Sequence, residues 1–121
     1  VLQYAVEELK VEHVIVCGHY GCGGIQAAVD DRRHGLIDNW LRHIRDVYQR
    51  HERRLAGMRS KPARLRRLCE LNIKEQVANV ANTTIVQDAW RRGQSLKIHG
   101  WVYDVHDRLL KDLGVTVGKS R

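Results

Sequence analysis

The sequence predicts an α/β fold with its chemistry at the carboxyl end of a strand, on three observations. Residues 1–29 follow the order helix, strand, glycine-rich loop, short helix, which in α/β proteins places reactive groups where the strand ends. Two stretches with helical apolar periodicity come next, over 36–56 and 63–81. The chain closes on an alternating segment, 96–105, and a short final strand, 109–117.

The first helix rests on Leu2, Ala5, Val6 and Leu9, spaced i, i+3, i+4, i+7. No capping residue and no initiator methionine precede it, so the N-terminus is expected to be cut from something longer. Val11 to Cys17 is rich in β-branched residues and ends at Gly18, which predicts a short buried strand with Cys17 packed in the core. Four glycines in the seven positions 18–24 predict an irregular loop, with a short helix from Ile25 to Val29.

Leu36 to Ala56 is predicted as one long helix, with Leu36, Ile37, Trp40, Leu41, Ile44, Val47 and Tyr48 on a single apolar stripe. Gly57 to Pro62 breaks it, and a second helix from Ala63 to Ala81 turns Leu65, Leu68, Leu71, Val77 and Val80 to the core. Asn82-Thr83-Thr84 supplies capping for a piece from Ile85 to Arg92, closed by Gly93. In the alternating segment, Leu96, Ile98, Gly100 and Val102 share one face, and Lys97, His99, Trp101 and Tyr103 the other. Asp107 begins the turn into the last strand. Without repeats, low complexity or a linker, residues 1–121 are expected to form a single, partial domain.

Composition limits the functional classes. Of 121 residues, 43% are hydrophobic and 29% charged, ordinary values for a globular domain. No apolar run approaches the roughly 20 residues of a membrane helix, and no basic-then-apolar leader is seen, so no membrane partner is expected. Three cysteines at scattered spacing form no disulfide framework, which favours a reducing, cytoplasmic location. The net charge is +7, and ten of the 21 Lys and Arg residues lie between Arg42 and Arg67. Such a face suits nucleic acid or anions; alternatively it is a solvated helical face whose acidic partners lie elsewhere. RNA-binding aromatic motifs and complete zinc-finger spacing are lacking, so no nucleic-acid partner is expected.

The chemistry concentrates in His19-Tyr20-Gly21-Cys22-Gly23-Gly24. A neutral imidazole and a thiolate are both zinc ligands, and His-x-x-Cys on a tight loop can reach one ion from two sides. Two ligands do not define a site, and a glycine-rich turn with an incidental cysteine and a surface histidine fits the same spacing. Cys69 falls among Leu65, Leu68 and Ile73, where a small buried hydrophobe is expected. His13, His34, His43 and His51 fit surface or strand-edge positions, and His99 and His106 lie on or near the last strands. No nucleophile elbow, Walker loop, HExxH or Cys-x-x-Cys is present.

The segment Val14-Ile15-Val16-Cys17-Gly18-His19-Tyr20-Gly21-Cys22-Gly23-Gly24-Ile25 closely resembles the zinc-site segment of the β-class carbonic anhydrases, bacterial type. Gly35 to Leu41, Asn72 to Asn79, Thr84-Ile85-Val86, Ala89-Trp90 and His99 to Asp104 resemble later segments of that family, in the same order. The resemblance implies a mostly parallel central sheet flanked by helices, here N-terminally incomplete. It implies an enzyme interconverting CO2 and bicarbonate with one Zn2+ per subunit, in which zinc lowers the pKa of a bound water and the resulting hydroxide attacks CO2. His19 and Cys22 would be two of three protein ligands, and Gly23 would lie beside the metal where its backbone can approach substrate.

The third ligand in the family is the cysteine of a Cys-x-Asp-x-Arg motif, which does not occur in these 121 residues. The chain therefore resembles the C-terminal portion of the enzyme, expected to bind zinc poorly and turn over inefficiently alone. Tyr103 matches a tyrosine of the allosteric bicarbonate pocket found in a bacterial subgroup; packing across the sheet is the plainer role for it. Homodimers or tetramers are implied as the assembly. The alternative is a catalytically dead relative serving as a structural or interaction module.

Overall fold

The computed structural model describes residues 1–30 and 32–119. Three strands form one sheet in the order β1-β2-β3: β1 is His13–His19, β2 is Lys97–Asp104 and β3 is Leu109–Val117. β1 pairs with β2 in parallel, from His13 opposite Lys97 to His19 opposite Tyr103. β2 pairs with β3 antiparallel, with a register irregularity between His99 and Trp101. β1 is thus an edge strand, as its position at the end of the sheet requires.

The helices are α1 (Gly23–Val29), α2 (Asp38–Arg50), α3 (Glu52–Ala56), α4 (Lys61–Ala81) and α5 (Thr84–Arg91). Ser60 caps α4 by accepting the Ala63 N–H at 3.3 Å, with Pro62 in the first turn where no N–H is needed. Thr83 caps α5 through the Val86 N–H at 3.3 Å, in agreement with the capping sequence. At the N-terminus the helix runs through a π-helical stretch, Tyr4–Glu8, which buries Val6 and packs on α5.

The core lies between the inner face of the sheet and α4, which packs on all three strands. α4 contributes Leu68, Cys69, Leu71, Ile73, Val77 and Ala81; β2 contributes Ile98 and Val102. Burying each large aliphatic side chain among these is worth about 1.5–3 kcal/mol. The approach of α4 depends on two positions without side chains. A Cβ on Gly100 would stand 2.6 Å from Val115 Cγ2, 3.0 Å from Val77 Cγ2 and 3.1 Å from Ile73 Cγ2, and one on Gly18 would stand 2.8 Å from Ile73 Cδ1.

Three expectations are corrected. First, Val11 to Cys17 is not a strand buried on both faces: Val14, Val16 and Gly18 turn inward, while His13, Ile15, Cys17 and His19 are exposed on the other. Cys17 therefore lies on the open face and not in the core; among the described residues a helix, α4, covers one face of β1, and strand geometry sends alternate residues away from it. Second, the segment 36–56 is not one helix. A 3-10 turn, Gly35–Ile37, precedes α2, and His51, at φ −113° and ψ 15°, separates α2 from α3. Third, only part of the apolar stripe is covered. Leu41 and Val47 are buried and Ile44 and Tyr48 pack beside them, but Leu36, Ile37 and Trp40 remain exposed because no described element lies over them.

Asp104 is the only buried charged residue among the described ones, on the inner face of β2 in step with Ile98, Gly100 and Val102. It accepts the His106 backbone N–H at 3.0 Å and lies 3.7 Å from both Arg66 and Lys111. That backbone donor, followed by the two cations, holds its carboxyl below the ordinary aspartate value despite burial.

Two outcomes follow from this packing. Gly100→Ala is expected to lower stability by about 1–3 kcal/mol through overpacking, read as a lower urea midpoint at unchanged slope. Gly118→Ala, where the nearest atom to the new Cβ is Lys97 Cγ at 3.5 Å, should stay within about 0.5 kcal/mol. For Asp104 the depressed pKa means that its stabilising effect is present above the unfolded value of about 3.9 and is lost as pH falls through the folded value. Asp104→Asn should be less stable than the parent at neutral pH, with the difference shrinking in acid; a constant difference from pH 7 to pH 2 would contradict this.

Candidate metal centre

At the carboxyl end of β1, the chain turns from strand to helix within three residues. His19 is the last residue of β1. The Tyr20 N–H donates to the Tyr103 carbonyl at 3.1 Å and carries the parallel ladder one step further. Gly21 then reverses the chain at φ +74°, in the left-handed region where a side chain is strained. Cys22 is extended, at φ −65° and ψ 124°, and stands at the N-cap of α1.

The predicted loop is therefore shorter than the glycines implied. Gly18 belongs to β1, and Gly23 and Gly24 open α1, leaving Tyr20 to Cys22 as the connection. At Gly23 an added Cβ would meet nothing within 4 Å, so this chain's own packing does not account for the missing side chain. Space lies open beside Cys22.

His19 Nδ1 lies 3.0 Å from the Tyr20 carbonyl oxygen. A carbonyl only accepts, so Nδ1 carries the proton and Nε2 presents its lone pair outward. A histidine that binds a metal through Nε2 has this tautomer, its Nδ1–H donated to a carboxylate, a water or, as here, a backbone carbonyl. Cys22 makes no side-chain cap hydrogen bond and is half-buried, so its sulfur is not committed to the helix end. The donor set fits zinc in kind. It does not reach zinc's usual count: among the described residues, no group of three or more His, Cys, Asp and Glu is placed to hold a metal.

The other cysteines do not join the pair. Cys17 occupies the open face of the sheet. Cys69, buried in α4 as expected, donates its thiol to the His19 carbonyl at 3.2 Å. Burial above all, with Cys22 nearby, pushes its pKa to about 11, so it remains a thiol. Tyr103 sits directly across the ladder from His19, half-buried, on the same open face.

Sequence reasoning missed the polar cluster beneath His19. Tyr20, only 6% exposed, donates its hydroxyl to the Glu70 carboxylate, and the Arg66 guanidinium lies 3.8 Å from its ring centroid. Burial, then the bond to Glu70, pushes the Tyr20 pKa to about 12. Arg67 donates to Glu70 at 3.2 Å. One signal was available: Asp104 continues the inward-facing alternation of Ile98, Gly100 and Val102, and a charge at such a position needs partners. Several arginines of the basic segment find acids within the chain, Arg45 with Asp38 at 3.6 Å, Arg50 with Glu75 at 2.5 Å and Arg66 with Asp104 at 3.7 Å.

Comparison with known proteins places this geometry. Residues 1–110 match the carbonic anhydrase family. The chain is 45% identical over 115 residues to a carbonic anhydrase of Emericella nidulans, covering 95% of this chain and 50% of that protein. The structure of the Coccomyxa β-carbonic anhydrase in complex with acetazolamide superposes with a TM-score of 0.92 at 37% identity, covering 98% of this chain and 54% of that one. A tetrameric β-carbonic anhydrase of Sordaria macrospora gives 0.87 at 31% identity, covering 96% and 59%. The chain spans about half the length of the curated relatives it matches. On its sequence, its fold and the turn that carries His19 and Cys22, the chain belongs to the β-class carbonic anhydrase family.

Proposed function

We propose that this chain works as part of a zinc-dependent carbonic anhydrase interconverting CO2 and bicarbonate, with His19 and Cys22 as two of the zinc ligands. The observation that carries the proposal is the His19 Nδ1–H held on the Tyr20 carbonyl, which leaves Nε2 available, three residues before a cysteine whose sulfur makes no cap hydrogen bond to α1. Zinc held there would act as a Lewis acid that makes water nucleophilic at neutral pH. The chain's own residues do the rest. The buried Cys69 thiol and the Tyr20 carbonyl fix the backbone and ring of His19. Gly23, with no neighbour within 4 Å of its absent side chain, leaves room for a small linear substrate beside Cys22.

The third ligand is the cysteine of Cys-x-Asp-x-Arg that the family resemblance implies, supplied by residues outside these 121. Assembly as a homodimer or tetramer belongs to the same proposal; it is supported by the tetrameric state of the Sordaria macrospora relative. An allosteric bicarbonate role for Tyr103 belongs to the proposal through the family resemblance, with its position across the ladder from His19 as support. A second proposal, an interaction module without turnover, is favoured by one observation: among the described residues no group of three or more His, Cys, Asp and Glu is placed to hold a metal.

One experiment separates the two. Zinc affinity and CO2 hydration are measured for the chain mixed with a peptide carrying a Cys-x-Asp-x-Arg strand. The enzyme reading expects the peptide to raise both, a chelator to abolish hydration, and His19→Ala or Cys22→Ser each to weaken zinc at least about tenfold. Tight zinc binding with no hydration would instead support the module. Affinity unchanged in both variants would remove His19 and Cys22 as ligands.

A further inference from the structure

We propose that Tyr20 is a positioning residue for His19, and that Glu70 of α4 acts through Tyr20 to hold the histidine in its metal-binding tautomer. The inference rests on His19 serving as a zinc ligand, but the device itself is read in the metal-free chain. The Tyr20 carbonyl accepts the His19 Nδ1–H at 3.0 Å, so the direction of one peptide group determines which nitrogen carries the proton. That peptide group precedes Gly21 at φ +74°. Peptides beside glycine turn over with least steric resistance, and a flip here would swing the carbonyl away from the imidazole.

Tyr20 is held against that flip from three sides, two through its side chain and one through its backbone N–H. Its hydroxyl donates to Glu70, its ring lies under the Arg66 guanidinium at 3.8 Å, and its N–H is bound to the Tyr103 carbonyl at 3.1 Å. The clamps are themselves anchored. Arg67 donates to Glu70 at 3.2 Å, and Asp104 lies 3.7 Å from Arg66. Helix α4 therefore reaches the imidazole through a tyrosine that touches no metal, and a buried tyrosine at the start of this turn has a role beyond filling space.

The test compares the chain with its Tyr20→Phe, Glu70→Ala and Glu70→Gln variants. Nitrogen NMR of labelled histidine, at a pH where the imidazole is neutral, reads the His19 tautomer without metal; zinc titration against a chromophoric chelator reads affinity. The parent chain should show Nδ1–H alone. Tyr20→Phe and Glu70→Ala should mix the tautomers and weaken zinc about tenfold, at the lower end of the 10- to 100-fold typical for groups that orient a ligand. Glu70→Gln keeps an acceptor oxygen and should restore both readings. A single Nδ1–H tautomer in both disruptive variants overturns the proposal, whatever happens to affinity. If the parent binds no zinc even with the Cys-x-Asp-x-Arg peptide added, His19 as a ligand is lost, while the tautomer comparison still decides the positioning role.

Discussion

Helix α4 lies against the inner face of all three strands, and it does so because Gly18 of β1 and Gly100 of β2 offer no side chain at the contact. Ile73 meets both positions, and Val77 and Val115 close around the second. Interiors are packed too densely for a methyl group to be absorbed there without movement. The parallel pairing of β1 with β2 buries its apolar residues on one face only under this helix. A one-residue slip of β1 would turn His13, Ile15 and Cys17 inward and expose Val14 and Val16.

The same contact shapes the candidate site. The register of β1 places His19 at the sheet's end, opposite Tyr103, and α4 presents Arg66, Cys69 and Glu70 to that end on successive turns. Cys69 takes the carbonyl of His19, while Glu70 and Arg66 take the side chain of Tyr20. The backbone on either side of the imidazole is thereby fixed from the core, and the ring's remaining nitrogen faces outward. A ligand held this way loses little freedom on binding a metal, which is the condition for a site assembled from separate segments.

Strand β2 was legible because its residues alternate cleanly: Ile98, Gly100 and Val102 against His99, Trp101 and Tyr103 place the inner and outer faces without ambiguity. Helix α4 was legible to within two residues through the stripe Leu68, Leu71, Val77, while its Ser60 cap was passed over inside the Gly57 to Pro62 break. β1 was not legible, since Val14-Ile15-Val16-Cys17 is apolar throughout and hides which residues face the helix. The split at His51 lacked a glycine or proline to announce it. In the candidate site, His19 and Cys22 are proposed as ligands from spacing and family resemblance. The cluster around Tyr20 was not legible, because Glu70, Arg66, Asp104 and Lys111 come together only through tertiary packing.

The central claim is that His19 and Cys22 bind one zinc ion together. X-ray absorption at the zinc edge, on the zinc-loaded chain and its two single variants, tests it most directly. The account expects a sulfur shell at about 2.3 Å with nitrogen at about 2.0–2.1 Å, the sulfur contribution reduced in Cys22→Ser and the imidazole contribution reduced in His19→Ala. Spectra left unchanged by both substitutions would place the zinc elsewhere on the molecule and contradict the account.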